Sequence, residues 1–99
     1  MNQISGKPMQ SFTQKQGQYL AFIDAYTRVH LQPPAEADIQ HRFGVTPPSV
    51  HQMILTLERA GFIRRQPGVP RSVKVLVPPE QLPVLETPLQ PVKTSVKRN

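Results

Sequence analysis

In the segment TPPSVHQMILTLERAGFIRR (46–65), which reads as a helix, four outward-facing side chains carry little charge but can make hydrogen bonds. Hydroxyl, imidazole and amide groups both donate and accept hydrogen bonds. The edges of DNA base pairs offer matching donors and acceptors, whereas a carboxylate would be repelled by the phosphates. One interpretation of these four side chains is therefore a surface that contacts base edges; the other is an ordinary solvated helix face. The four residues are Ser49, His51, Gln52 and Thr56.

Basic residues dominate the stretch that follows, from residue 59 to residue 77, which contains no acid. The whole chain has a net charge of +6 and a pI near 10.4, which favours an anionic partner such as nucleic acid, membrane headgroups or an acidic protein. We expect these basic side chains to contact phosphates; the alternative is a solvated hairpin. They are Arg59, Arg64, Arg65, Arg71 and Lys74.

Enzymatic chemistry finds little support among the remaining residues. The sequence has no cysteine, and its three histidines lack the spacing of metal ligands. Glu36 and Asp38 lie two positions apart on a short predicted helix, so they point to different sides and are best read as charges at the helix N-terminus. No glycine-rich phosphate loop or nucleophile motif occurs. We therefore expect no enzyme, no metal and no cofactor.

A membrane role is also disfavoured by the sequence. No apolar run approaches the roughly 20 residues that span a bilayer, and the N-terminus lacks the layout of a secretory signal. The basic C-terminal residues lack the aromatic or amphipathic neighbours that insert into lipid. We expect a cytoplasmic, nucleoid-associated protein.

A first helix is predicted to start at Thr13, because the run TQKQ has the form of a capping box with Thr13 as N-cap and Gln16 reaching back. It should end near Arg28 or His30. Apolar residues on one face indicate a core-forming helix. They are Tyr19, Leu20, Phe22, Ile23 and Tyr26.

Two further helices are predicted on either side of the GVTP connection. The second runs from Ala35 to Phe43 and is closed by Gly44. The third has Thr46 as N-cap and prolines at its first two positions, where a missing N–H costs nothing. The residues predicted to face the core are Ala37, Ile39 and Phe43 in the second helix, and Val50, Ile54, Leu57 and Ala60 in the third.

A β-hairpin follows Gly61. The predicted strands are residues 62–66 and residues 72–77, where valines alternate with other residues. Pro67 and Gly68 fit the centre of a type II turn. Three helices followed by a hairpin predict a mainly α fold of the winged helix-turn-helix type. We expect a flexible N-terminus (1–11), this domain (12–77), and a proline-rich, basic, disordered tail (78–99).

The stretch from Phe12 to Val77 resembles the N-terminal DNA-binding domain of LexA-type repressors. The matching runs are the TQKQ start, PP before helix two, ADIQHRFGV, SVHQMILTLERAGFI and RRQPGVPRSVKV. The resemblance implies a winged helix-turn-helix that binds operator DNA and regulates transcription as a repressor. It implies base reading by Pro48, Ser49, His51 and Gln52, at the start of helix three.

Two features depart from the family pattern. Ala35 stands where the family tends to have a capping threonine. The alanine lowers the stability of the helix by about 1 kcal/mol, because the capping hydrogen bond is lost, and it removes one phosphate contact. The sequence also ends where the family's second domain would begin, which dimerises the repressor and carries the serine–lysine pair for self-cleavage. The resemblance therefore does not imply self-cleavage for this sequence. Possible protein partners are a second copy of the chain, forming a homodimer, or a larger protein that provides dimerisation.

A protein-interaction module, such as an adaptor or anti-repressor, is the alternative to double-stranded DNA binding. Winged helices use the same faces on proteins, and fold alone does not decide function. Met53 and Leu55, expected to be exposed on helix three, would suit this alternative.

Overall fold

The structure, a computed structural model, describes residues 11–86 and begins with helix α1, Gln14–His30. The Gln16 N–H donates to the Thr13 hydroxyl oxygen (3.0 Å), and the Thr13 N–H donates to the Gln16 side-chain carbonyl (2.9 Å). These two bonds satisfy backbone donors that the first helical turn leaves without partners. The predicted capping box is confirmed. The helix ends at Leu31, whose backbone is left-handed (φ 61°).

Helices α2 (Glu36–Phe43) and α3 (Pro47–Arg59) follow, joined by three residues. Gly44 closes α2 with a φ of 65°, a conformation that glycine adopts without steric cost. Thr46 caps α3, its hydroxyl accepting the Ser49 N–H at 3.3 Å. Because Pro47 and Pro48 occupy the first turn of α3, they fix where the helix begins.

The hairpin consists of β1 (Ile63–Arg64) and β2 (Lys74–Val75), which pair antiparallel with Ile63 opposite Val75. Both strands are shorter than predicted. The Ser72 hydroxyl accepts the Gln66 N–H (3.0 Å) and donates to the Val69 carbonyl (2.8 Å), so side-chain bonds replace the outer part of the strand ladder.

The tip of the hairpin matches the prediction of a type II turn. The Val69 N–H donates to the Gln66 carbonyl (3.1 Å), closing a turn with Pro67 and Gly68 at its centre. Gly68 has a φ of 79°, the value that the third residue of such a turn requires.

The core lies where all three helices meet the base of the hairpin. The rings of Tyr19 and Phe43 stack in parallel with centroids 4.1 Å apart, which fixes α1 against α2. Ala37 and Ala60 are exposed, so their predicted core positions were wrong. Ala37 is two positions from Ile39 and therefore lies on the opposite side of α2, and Ala60 comes after the last residue of α3. The core residues are Tyr19, Leu20, Ile23, Ile39, Val50, Ile54, Leu57, Phe62, Ile63, Val73 and Val77.

This order and packing of elements is the winged helix-turn-helix that the sequence predicts. The α2–turn–α3 unit forms the helix-turn-helix, and the hairpin forms the wing. The predicted fold class is confirmed.

Residues 78–86, which we name the strap, continue past the predicted end of the domain and lie along α1. Buried Gln18 binds the strap through both ends of its amide: Nε2 donates to the Val84 carbonyl (2.9 Å), and Oε1 accepts the Glu86 N–H (2.8 Å). Pro83 lies close to Gly17, where an added Cβ would be 3.0 Å from the proline ring. The strap therefore belongs to the folded unit, while the rest of the predicted tail and residues 1–10 lie outside the described residues.

Replacing Gln18 with leucine should release the strap. Leucine fills similar space but leaves the Val84 carbonyl and Glu86 N–H without their partner, at a cost of about 1–3 kcal/mol. We expect lower stability in urea and faster hydrogen exchange at the Glu86 amide. Gln81→Leu, which changes an exposed glutamine of the same segment, is the matched control. Equal exchange rates in both variants would show that Gln18 does not hold the strap in place.

Candidate nucleic-acid interface

The exposed side of α3 displays the residues that the sequence predicted to read bases. Its first turns are capped and shaped locally: the Thr46 hydroxyl donates to the Ser49 hydroxyl oxygen at 3.0 Å. Further along, the Thr56 hydroxyl donates to the Gln52 carbonyl (2.9 Å), which leaves the hydroxyl oxygen able to accept. We name this surface the α3 polar face. It comprises Pro48, Ser49, His51 and Gln52, all exposed, with half-buried Thr56.

A lysine that was not among the predicted contact residues lies beside the α3 polar face. Lys15, in the first turn of α1, borders a shallow groove with Thr13 and Gln16 on one side and α3 on the other. The wall from α3 is formed by Pro48, Ser49, Gln52, Met53 and Thr56. No local sequence signal marks Lys15, because its position depends on how α1 packs against α3.

Arg64 and Lys74 are both exposed and stand directly opposite each other in the hairpin. Like charges at directly opposed positions of an antiparallel pair destabilise it, by roughly 0.2–1 kcal/mol. An anionic partner removes this repulsion, so the pair fits a phosphate-binding wing. Arg59, at the end of α3, is also exposed.

The other two predicted phosphate contacts are held by carboxylates of the same chain. The Arg65 Nε donates to Glu58 (3.2 Å), and only 17% of the Arg65 side chain is exposed. Arg71 makes an ion pair with Asp38 at 3.0 Å and also donates to the Tyr26 hydroxyl at 3.2 Å. In the wing, Arg64 and Lys74 are therefore exposed to solvent, whereas Arg65 and Arg71 bind side chains of the three helices.

Asp38 links the start of α2 to the wing. Its carboxylate accepts the Ala35 N–H (2.9 Å), which compensates in part for the missing capping side chain at Ala35. The pKa of Asp38 is lowered, chiefly by this backbone hydrogen bond and further by Arg71, against an opposing effect of burial. The pKa of Arg71 is raised, chiefly by its hydrogen bond to Tyr26.

Asp38→Ala should cost about 1–2 kcal/mol in the free energy of unfolding at neutral pH. Because the pKa of Asp38 in the folded state lies below its ordinary value of 3.8, the wild type holds this stabilisation above that value and loses it as the pH falls further. The two proteins should therefore converge in acid. Urea unfolding from neutral pH down to about pH 2 tests this; a constant difference would contradict it.

His51 and Glu36 join the α3 polar face to the start of α2. The His51 Nδ1 lies 3.2 Å from a carboxylate oxygen of Glu36, and the two side chains are 52% and 44% exposed. The pair borders a groove of about 400 Å³ whose other wall is the wing loop. Glu36 and Asp38 thus have different partners, as their spacing predicts.

Met53 and Leu55 do not form the exposed apolar surface that would have suited the protein-interaction alternative. Both are half-buried, and Met53 packs against the core.

None of the helices within residues 11–86 has both the length and the apolar composition that a membrane-spanning helix needs.

Comparison with known proteins finds similarity over most of the chain. The LexA DNA binding domain family model matches residues 9–72. The LexA repressor of Thermotoga neapolitana is 34% identical over 67 residues, which are 68% of this chain and 34% of that protein. The LexA repressor of Thermosipho africanus is 33% identical over 76 residues, 77% of this chain and 38% of that protein. The chain thus spans about a third of the length of these relatives.

Proposed function

The chain belongs to the LexA DNA-binding domain family, and from this premise we propose that it binds double-stranded DNA sequence-specifically as a LexA-type transcriptional repressor. The observation that carries the proposal is the α3 polar face: hydrogen-bonding side chains without an acid occupy the exposed first turns of the second helix of a helix-turn-helix. In that motif these turns enter the major groove.

We assign base reading to Ser49, His51 and Gln52, with Pro48 packing beside them. Gln52 suits adenine, whose N6 and N7 match the donor and acceptor of an amide. Contacts to phosphate fix the register of a protein on DNA without specifying sequence. We assign these contacts to Arg64 and Lys74 of the wing, to Arg59, and to Lys15.

Two copies on one site, or a larger protein partner, belong to the same proposal. A single small module buries on the order of 600–1,000 Å² on DNA, which limits its affinity. Two copies would place their α3 helices in successive major grooves, about 34–36 Å apart. The proposal makes this a cytoplasmic, nucleoid-associated binding protein and not an enzyme.

Selection from a random duplex library tests the proposal. We expect a defined consensus, and inverted half-sites if two copies bind. Gln52→Ala should erase the preference at one base pair, a loss of about 5- to 150-fold, which corresponds to 1–3 kcal/mol. Gln32→Ala, which changes an exposed glutamine beyond the end of α1, should leave the consensus intact. Recovery of no consensus by the wild type would refute sequence-specific binding.

A further inference from the structure

The contact between His51 and Glu36 limits how the imidazole ring can be protonated. An ionised carboxylate has no hydrogen to give, so at 3.2 Å it can only accept from Nδ1. Nδ1 must therefore carry the hydrogen. In a neutral imidazole the second nitrogen, Nε2, then has a lone pair and is an acceptor.

The place of the ring makes this assignment relevant to recognition. His51 lies one helical turn into the exposed face of α3, and half of its side chain is exposed. Among residues 11–86, Glu36 is the hydrogen-bond partner that the structure gives to its ring. Nε2 is thus left for a group outside the chain.

We propose that Glu36 is a positioning residue that sets the hydrogen-bond polarity of His51, so that His51 recognises an exocyclic amino group in the major groove. The inference deepens the proposed DNA-binding function and rests on it. The groups that can donate to Nε2 there are the N6 amino group of adenine and the N4 amino group of cytosine, whereas guanine and thymine offer acceptors at their corresponding positions.

The first step of the test is to find the base pair that His51 contacts. The wild type and His51→Ala are each selected against a random duplex library, with His41→Ala, an exposed histidine of α2, as matched control. We expect His51→Ala to lose the preference at one pair that the wild type and His41→Ala retain. If the wild type selects no consensus, the proposed function itself fails. If the consensus survives unchanged in His51→Ala, the present inference fails alone.

The second step removes single functional groups from that base pair. One duplex lacks the exocyclic amino group, with purine for adenine or 2-pyrimidinone for cytosine; another carries a 7-deaza purine, which lacks the N7 acceptor. Loss of the amino group should weaken wild-type binding about tenfold, the effect of one hydrogen bond of about 1.4 kcal/mol, and should not affect His51→Ala. A penalty for the loss of N7 instead would show that Nε2 donates, and would overturn the inference.

The third step tests Glu36. A glutamine amide can pair with either form of the ring, so Glu36→Gln should shrink the tenfold amino-group penalty toward zero. It should also raise affinity for all duplexes alike, because a negative charge is removed. Glu80→Gln, which removes the same charge from the exposed strap, should retain the full penalty. An unchanged penalty in Glu36→Gln would show that Glu36 does not position the ring.

Discussion

Reversing both charges of the wing, Arg64→Glu with Lys74→Glu, is expected to lower DNA affinity at least about 100-fold. Each substitution removes one phosphate contact and adds repulsion. The slope of log K against log salt, which is negative, should therefore become smaller in magnitude by about 2. Because the two residues stand opposite each other, the double variant still places like charges together. The hairpin should thus have nearly the same stability as in the wild type.

Fluorescence anisotropy with a labelled duplex at several salt concentrations measures both effects. Lys97→Glu with Arg98→Glu is the control, because it changes the net charge equally in the predicted tail. Arg65 is left unchanged, since a glutamate there would face Glu58, whose carboxylate it now binds. If the affinity and the salt slope equal those of the wild type, the wing does not contact DNA.

Tyr19→Ala is expected to destabilise the domain by about 3–5 kcal/mol, a large part of the 5–15 kcal/mol of an ordinary domain. The ring is 1% exposed and stacks on Phe43, so its loss opens a cavity between α1 and α2. The groove that brings Lys15 beside α3 depends on where α1 lies. DNA affinity should therefore fall together with stability.

Urea unfolding followed by circular dichroism measures the change in stability. Tyr19→Phe is the matched control: it retains the stacked ring and removes only the hydroxyl, whose pKa burial raises. We expect the free energy of unfolding of Tyr19→Phe to be close to that of the wild type. A Tyr19→Ala protein as stable as Tyr19→Phe would show that this stack does not hold the helices together.

The elements that the sequence predicted correctly are those determined by neighbours in the chain. The capping box at Thr13 and Gln16 involves residues three apart, as does the cap of α3 at Thr46. The positive φ of Gly44 and Gly68 follows from the one residue type that adopts it freely. These local signals also placed the polar residues at the start of α3 correctly.

The features that the sequence did not predict depend on how separate elements of the fold pack against each other. The sequence predicted Arg65 and Arg71 as phosphate contacts, because it does not show that the fold brings Glu58 and Asp38 to them. The strap looked like a proline-rich tail because its partner, Gln18, lies 66 positions away in the chain. None of these three pairings has a periodicity or a spacing that could have revealed it.

Sequence-specific DNA binding is tested most directly by comparing the affinity of the wild-type protein for its selected duplex with its affinity for a shuffled duplex of the same composition, over a range of salt concentrations. Sequence-specific binding by this domain predicts that both affinities fall steeply with salt, because phosphate contacts contribute to both. It also predicts that the selected duplex binds at least about 1,000-fold more tightly, the lower end for specific recognition. Equal affinities for the two duplexes, or no binding at low salt, would contradict it.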